Sequence, residues 1–155
     1  MSASKAIALG TISGLRSMSG PAFLSRAASQ DRLNLEGTPL AFLASPRISK
    51  ALVVMELGEL VGDKLPIIPS RTSLPILLGR AASGGLVGAA LFTSDGRRVT
   101  TGAAVGAAAA VTAALAGEQL RALAGEKTGL PDPLLALAED AVVLLVGHRS
   151  LGESR

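Results

Sequence analysis

Residues 51–91 read ALVVMELGELVGDKLPIIPSRTSLPILLGRAASGGLVGAAL. The stretch predicts two apolar helices joined by a proline-studded segment. The first helix carries Glu56, Glu59 and Asp63, and the second carries Arg80. Charged side chains in segments this apolar are costly to desolvate and need partners. Glu56, Glu59 and Asp63 stand at i, i+3 and i+7, on one helix face. By the same spacing Arg80, Ser83, Gly84 and Val87 share a face of the second helix, and Ser13, Arg16, Ser17 and Gly20 share one on an earlier segment.

Composition extends this reading to the whole chain. At 155 residues it fits one domain, 1–155. Counting the 18 Gly with the 48% hydrophobics brings the apolar share to about 59%, against roughly 45–50% in soluble domains. Charged residues fall to 17%, against about 25%. Both departures point to a membrane, with an Ala/Gly-rich soluble helical domain as the alternative. Cys is absent and His148 is the single histidine, so no thiolate or His-rich metal site and no cysteine nucleophile is expected. The net charge of +3 comes from scattered residues with only Phe23, Phe42 and Phe92 to stack on bases, which argues against nucleic acid.

Taken in order, the first apolar segment runs from about Ala6 to Leu24. Arg16 interrupts it, which suits a retained membrane helix better than a cleaved signal. Gly20-Pro21 predicts a kink or break there. Residues 25–49 read as a loop, with a short turn at Leu40–Leu43. The second segment, Lys50–Gly62, is too short to cross a ~30 Å core alone. Either it starts earlier, or Leu65–Pro69 continues at membrane depth as irregular backbone, with Pro66 and Pro69 as hinges alongside Pro21. Pro75 suits the first turn of the third segment, which ends near Phe92. Asp95-Gly96 marks a tight turn. Val99–Gly117 is the cleanest span, with a helical pattern that continues through Arg121. Leu134–Gly147 is the fifth segment and carries Glu139 and Asp140.

The expected fold is therefore all-α: an integral membrane bundle of about five spans, packed through Gly and Ala, with proline-broken helices. With five spans, Lys5, Lys64, Arg71, Arg121 and Lys127 fall on one side. Arg26, Arg32, Arg47, Lys50, Arg97, Arg98, Arg149 and Arg155 fall on the other. The larger set places the C-terminus in the cytoplasm. Four Gly-xxx-Gly steps, Gly10/Gly14, Gly58/Gly62, Gly84/Gly88 and Gly102/Gly106, suit close helix packing and a homodimer. Ala51-Leu52 with Leu60-Val61-Gly62 recurs as Ala136-Leu137 with Leu145-Val146-Gly147. With one span between the two units, this predicts an inverted repeat of the kind common in transporters.

Counting charges sharpens the site. Arg16 and Arg80 cannot neutralise Glu56, Glu59, Glu139 and Asp140 together, so two negative charges are left over. At membrane depth these must be protonated, hydrated or matched by a cation. Acids near a membrane surface would instead be solvated. Asp63-Lys64 reads either as a helix-end ion pair or as the mouth of a cavity.

Gly14-Leu15-Arg16-Ser17 with Pro21, Glu56, Asp63-Lys64-Leu65-Pro66, Arg80 and Glu139-Asp140 resemble the pattern of domain-of-unknown-function family 4126. The resemblance spans most of the chain and implies a multi-pass membrane protein; it supplies no reaction, cofactor or substrate. No nucleophile elbow, phosphate loop or zinc signature is present, so an enzyme is not expected. The expected function is proton- or cation-coupled transport or conduction in the plasma (inner) membrane. Its site residues are Arg16, Glu56, Glu59, Asp63, Arg80, Glu139 and Asp140, and its partners are the bilayer and a small ion or solute. A non-catalytic structural or accessory membrane subunit is the other reading.

Overall fold

A computed structural model describes residues 2–62 and 73–152. Its described residues form six α-helices: α1 (Ser2–Leu15), α2 (Ser19–Ala28), α3 (Pro46–Gly62), α4 (Leu74–Ser94), α5 (Val99–Thr128) and α6 (Asp132–Gly152). A 3-10 turn, Ala41–Ala44, precedes α3. Asp63, Lys64, Pro66 and Pro69 lie outside the described residues.

Several helix limits follow from local chemistry. Pro46 opens α3, so the second segment starts earlier than expected, with 17 residues instead of 13, while its possible continuation through Leu65–Pro69 lies outside the described residues. Pro needs no amide partner in a first turn, and Pro75 occupies the same place in α4. α5 runs to 30 residues and ends where Gly129 takes φ 64, its amide donating to the Gly125 carbonyl at 3.0 Å. That left-handed cap is one glycine adopts without strain.

The largest departure from expectation concerns the first segment. It is two helices folded back on each other, not one span with a kink. Arg16 N–H donates to Ile12 O at 2.8 Å and Ala22 N–H to Met18 O at 2.9 Å, so the ladder is interrupted between them. In a continuous helix residue 20 would stand about 10 Å along the axis from residue 13. Instead a Cβ on Gly20 would overlap Ser13 Oγ and sit 2.9 Å from Leu9 O. Only glycine permits that approach. Pro21 falls in the first turn of α2, where its missing N–H costs nothing; the break lies earlier, at Arg16–Met18.

Three helices meet backbone to backbone around α5. A Cβ on Gly10 would lie 2.7 Å from Gly106 O, and one on Gly14 would overlap Ala110. Residue numbers rise together along this contact, so α1 and α5 run in the same direction. On α4 the order reverses: Gly84 abuts Gly106 and Ala110, and Gly88 abuts Gly102. The α4–α5 pair is therefore antiparallel. Gly58 and Gly62 of α3 meet nothing within 4 Å among the described residues.

The remaining helices complete the frame. Asp140 meets Arg16, Gly147 packs on the Phe23 ring, and the Leu151 carbonyl accepts from Arg32 Nη1 at 3.5 Å. Thus α6 runs alongside α2. Ser25 Oγ donates to Leu43 O at 2.6 Å, pinning the loop that returns the chain to α3. The α1–α2 hairpin thus enters from one end, called the near end below, among four helices that run its full height. An inverted repeat would require the leading helices of its two units, α1 and α5, to point in opposite directions. They are parallel, so the recurring α3 and α6 sequences do not extend to inverted units.

Candidate functional site

The tip of the hairpin, Arg16 to Ser19, gathers most of the charged residues singled out from the sequence. Breaking a helix exposes carbonyls at one end and amides at the other. Each end here has a partner of the complementary kind. Arg80 of α4, 4% exposed, donates from Nη1 to the Gly14 carbonyl at 2.6 Å, a cation at the C-terminal end of α1. Glu59 of α3 accepts from the amides of Ser17 and Met18, both at 2.8 Å, one to each carboxylate oxygen. It is an anion at the N-terminal end of α2. Ser83 Oγ donates to the Ser17 carbonyl.

Arg16 lies in the break and is 1% exposed. Its Nε donates to Asp140 Oδ1 at 2.5 Å, and the two form an ion pair with Asp140 5% exposed. The pairing of Arg16 with an acid of the fifth segment is thus present.

Glu139, the neighbour of Asp140, lies elsewhere. It faces α5 and pairs with Arg121. Sequence reasoning left Arg121 out of the site because it lies past the uncharged run of α5. The signal was there, since a helix continued through Arg121 brings a cation back against α6. Arg80, Arg121, Glu118 and Glu139, with Leu15 and Gly117, line a cleft of about 190 Å³.

Arg121 changes the charge count. Among the described residues the interior cations are Arg16, Arg80 and Arg121, against Glu56, Glu59, Glu139 and Asp140, so there the expected surplus of two negative charges becomes one. Glu56 is the tip carboxylate with neither an ion pair nor a backbone amide to name among the described residues. Its half-buried carboxyl interacts with Ser19 and lies within electrostatic reach of Glu59 and Arg16. By distance and angle together, neither Glu56 Oε1 nor Ser19 Oγ completes a hydrogen bond among the described residues. Ser19 was not among the expected site residues; a serine in an apolar helix carries no charge to count.

Arg80 and Ser83 stand six and nine residues into α4, about 9–14 Å along its axis from the far end. The tip is therefore inside the bundle, not at its mouth.

The family described as "Domain of unknown function (DUF4126)" matches residues 4–149. No curated protein and no solved structure matches the chain significantly.

Proposed function

We propose that this chain, which belongs to the DUF4126 family, is a multi-pass protein of the plasma (inner) membrane that passes a proton or monovalent cation through Glu56. The membrane part is supported by where the side chains lie. Arg16, Arg80, Asp140 and five serines are buried. Val54, Met55, Leu57 and Val61 of α3, Leu74 and Leu78 of α4, Leu120 and Leu123 of α5, and Leu137, Leu144 and Leu145 of α6 are exposed. Water favours the opposite arrangement, whereas lipid favours this one. Helices α4 and α5 are long and apolar enough to cross a membrane. In this reading α3 to α6 cross, and α1–α2 is a re-entrant hairpin whose tip is enclosed by protein, as irregular backbone at that depth must be.

The hairpin also shifts the orientation argument. Lys5 now joins Arg26, Arg32, Arg47, Lys50, Arg97, Arg98 and Arg149 at the near end. Arg121 and Lys127 lie toward the far end, with Lys64 and Arg71 in the segment that joins α3 to α4. The near end is cytoplasmic under the positive-inside rule. The face of α3 at Gly58 and Gly62, which meets nothing within 4 Å among the described residues, is the candidate surface for the homodimer.

One observation carries the transport part: the half-buried Glu56 carboxyl sits beside a broken helix with the Ser19 hydroxyl as its polar neighbour, and its Oε1 completes no well-formed hydrogen bond among the described residues. A buried polar atom left unpaired costs free energy, and a bound proton or cation would recover it. The accessory reading has its own support, because Arg16, Glu59, Arg80 and Arg121 each have a partner within the chain. Flux separates the two. In vesicles holding a pH-sensitive dye, under a potassium-diffusion potential or an imposed sodium gradient, the purified protein is expected to raise proton or sodium entry above that of empty vesicles. Glu56→Gln is expected to abolish the increase while the variant elutes as the folded protein does. Wild-type entry equal to that of empty vesicles, or full activity in Glu56→Gln, removes the transport reading and leaves the accessory one.

A further inference from the structure

A second polar cleft, of about 190 Å³, opens between the C-terminal parts of α2 and α6 at the near end. Arg26, Arg32, His148 and Gln30 supply its polar groups, and Phe23 and Gly147 are also in its lining. Among the described residues no acidic side chain lines it. It is separate from the hairpin tip and shares no residue with the site described above.

Its construction is specific. Gly147 is required because the Phe23 ring occupies the space a Cβ would take. Arg32 is held toward α6 by its bond to the Leu151 carbonyl, so its charge sits over the end of that helix. Arg26 is exposed, as is His148. Two guanidiniums and an imidazole around one concavity, with no carboxylate among its described residues, offer several donors and two fixed positive charges to an anionic guest. Guanidinium pairs well with phosphate oxygens.

We infer that this cleft binds a phosphate-bearing anion, and that it does so at the cytoplasmic surface of the bilayer. Basic pockets between helices on that side suit the headgroups of anionic lipids, whose negative surface they face. The inference rests on the membrane reading but is independent of Glu56. The phosphate can come from a phosphodiester headgroup or from a small soluble phosphate ester, and the test has an arm for each.

The detergent-purified protein is mixed with lipid micelles containing equal amounts of phosphatidylglycerol and phosphatidylcholine, and retained lipid is read by native mass spectrometry. Inorganic phosphate and glycerol 3-phosphate are titrated in parallel by calorimetry. Phosphatidylglycerol retained in preference to phosphatidylcholine, with no calorimetric signal from the soluble ions, assigns the cleft to a lipid headgroup. Binding of the soluble ions as well assigns it to phosphate esters generally. In either case the Arg26→Gln/Arg32→Gln variant should bind about 25-fold more weakly, the effect of removing two surface cations. Arg47→Gln/Arg98→Gln, which removes two exposed cations at the same end but outside the cleft, should not. Equal retention of both lipids with no phosphate signal overturns the inference, and so does an equal loss in the two double variants. Failure of the membrane reading would show itself differently, as protein recovered from cells without detergent.

Discussion

Asp140→Asn is expected to destabilise the protein by about 3–5 kcal/mol, the cost of breaking a buried ion pair by removing one charge. The cause is Arg16, which is 1% exposed and paired with Asp140. A guanidinium cannot shed its charge, so in the variant it stays ionised in a closed interior. Arg16→Met should cost less, because a lone carboxyl can become neutral by taking up a proton. The double variant Arg16→Met/Asp140→Leu should recover most of the loss, since apolar replacement of a buried pair is often near neutral. Thermal unfolding in detergent, followed by circular dichroism, measures all three. Equal stability of Asp140→Asn and wild type would mean that the pair is hydrated and that the hairpin tip is not enclosed.

Gly88→Val should be nearly as damaging, for a different reason. A Cβ at Gly88 would overlap the Gly102 carbonyl, which is main chain of a facing helix and cannot swing aside. Accommodating a side chain means moving α4 off α5, the most extensive helix contact in the fold. Overpacking of this kind costs more than about 3 kcal/mol and should lower Tm by about 10 °C for a chain this size. Gly79→Ala on the same helix provides the comparison. Nothing lies within 4 Å of its Cβ position among the described residues, so the change should be neutral or stabilise by about 0.5–1 kcal/mol through helix propensity. Similar losses in both variants would mean that glycine acts here through backbone flexibility, not close approach.

These two cases mark what was legible in the sequence. Helix existence, the Pro75 start, the Asp95-Gly96 turn and the pairing of Arg16 with an acid of the fifth segment all depend on local pattern or on charge, and both can be read along a chain. The reversal at Arg16–Met18 could not be. Hydropathy is high on both sides of it, and the contact that enforces it, Gly20 on Ser13, exists only once the chain has folded back. The role of Glu59 was hidden for a related reason. Charge counting looks for a cation, whereas Glu59 is held by the two backbone amides that the break leaves free. Glu139 was drawn into the central site by its neighbour Asp140, but adjacent residues on a helix point about 100° apart and meet different partners. The inverted repeat is not supported by α1 and α5, which run in the same direction, because short sequence likeness carries no direction.

The arrangement also explains why the surplus charge matters. Most of the ionisable groups at the tip are used to close the two ends of a broken helix or to fasten α6. Glu56 is the exception, and it is the residue on which the transport proposal depends.

The central claim is topological: a bundle embedded in lipid, with α1 and α2 entering and leaving at the same side. The chain contains no cysteine, so single substitutions can be labelled without background. Ser4→Cys, Asn34→Cys, Asp95→Cys and Lys127→Cys, all at exposed positions, are treated with a membrane-impermeant maleimide in spheroplasts and in inverted membrane vesicles. The first three should label only in inverted vesicles and Lys127→Cys only in spheroplasts. Labelling of Asn34→Cys together with Lys127→Cys would mean that α1–α2 crosses as a single span, and labelling of all four in both preparations would contradict the membrane bundle itself.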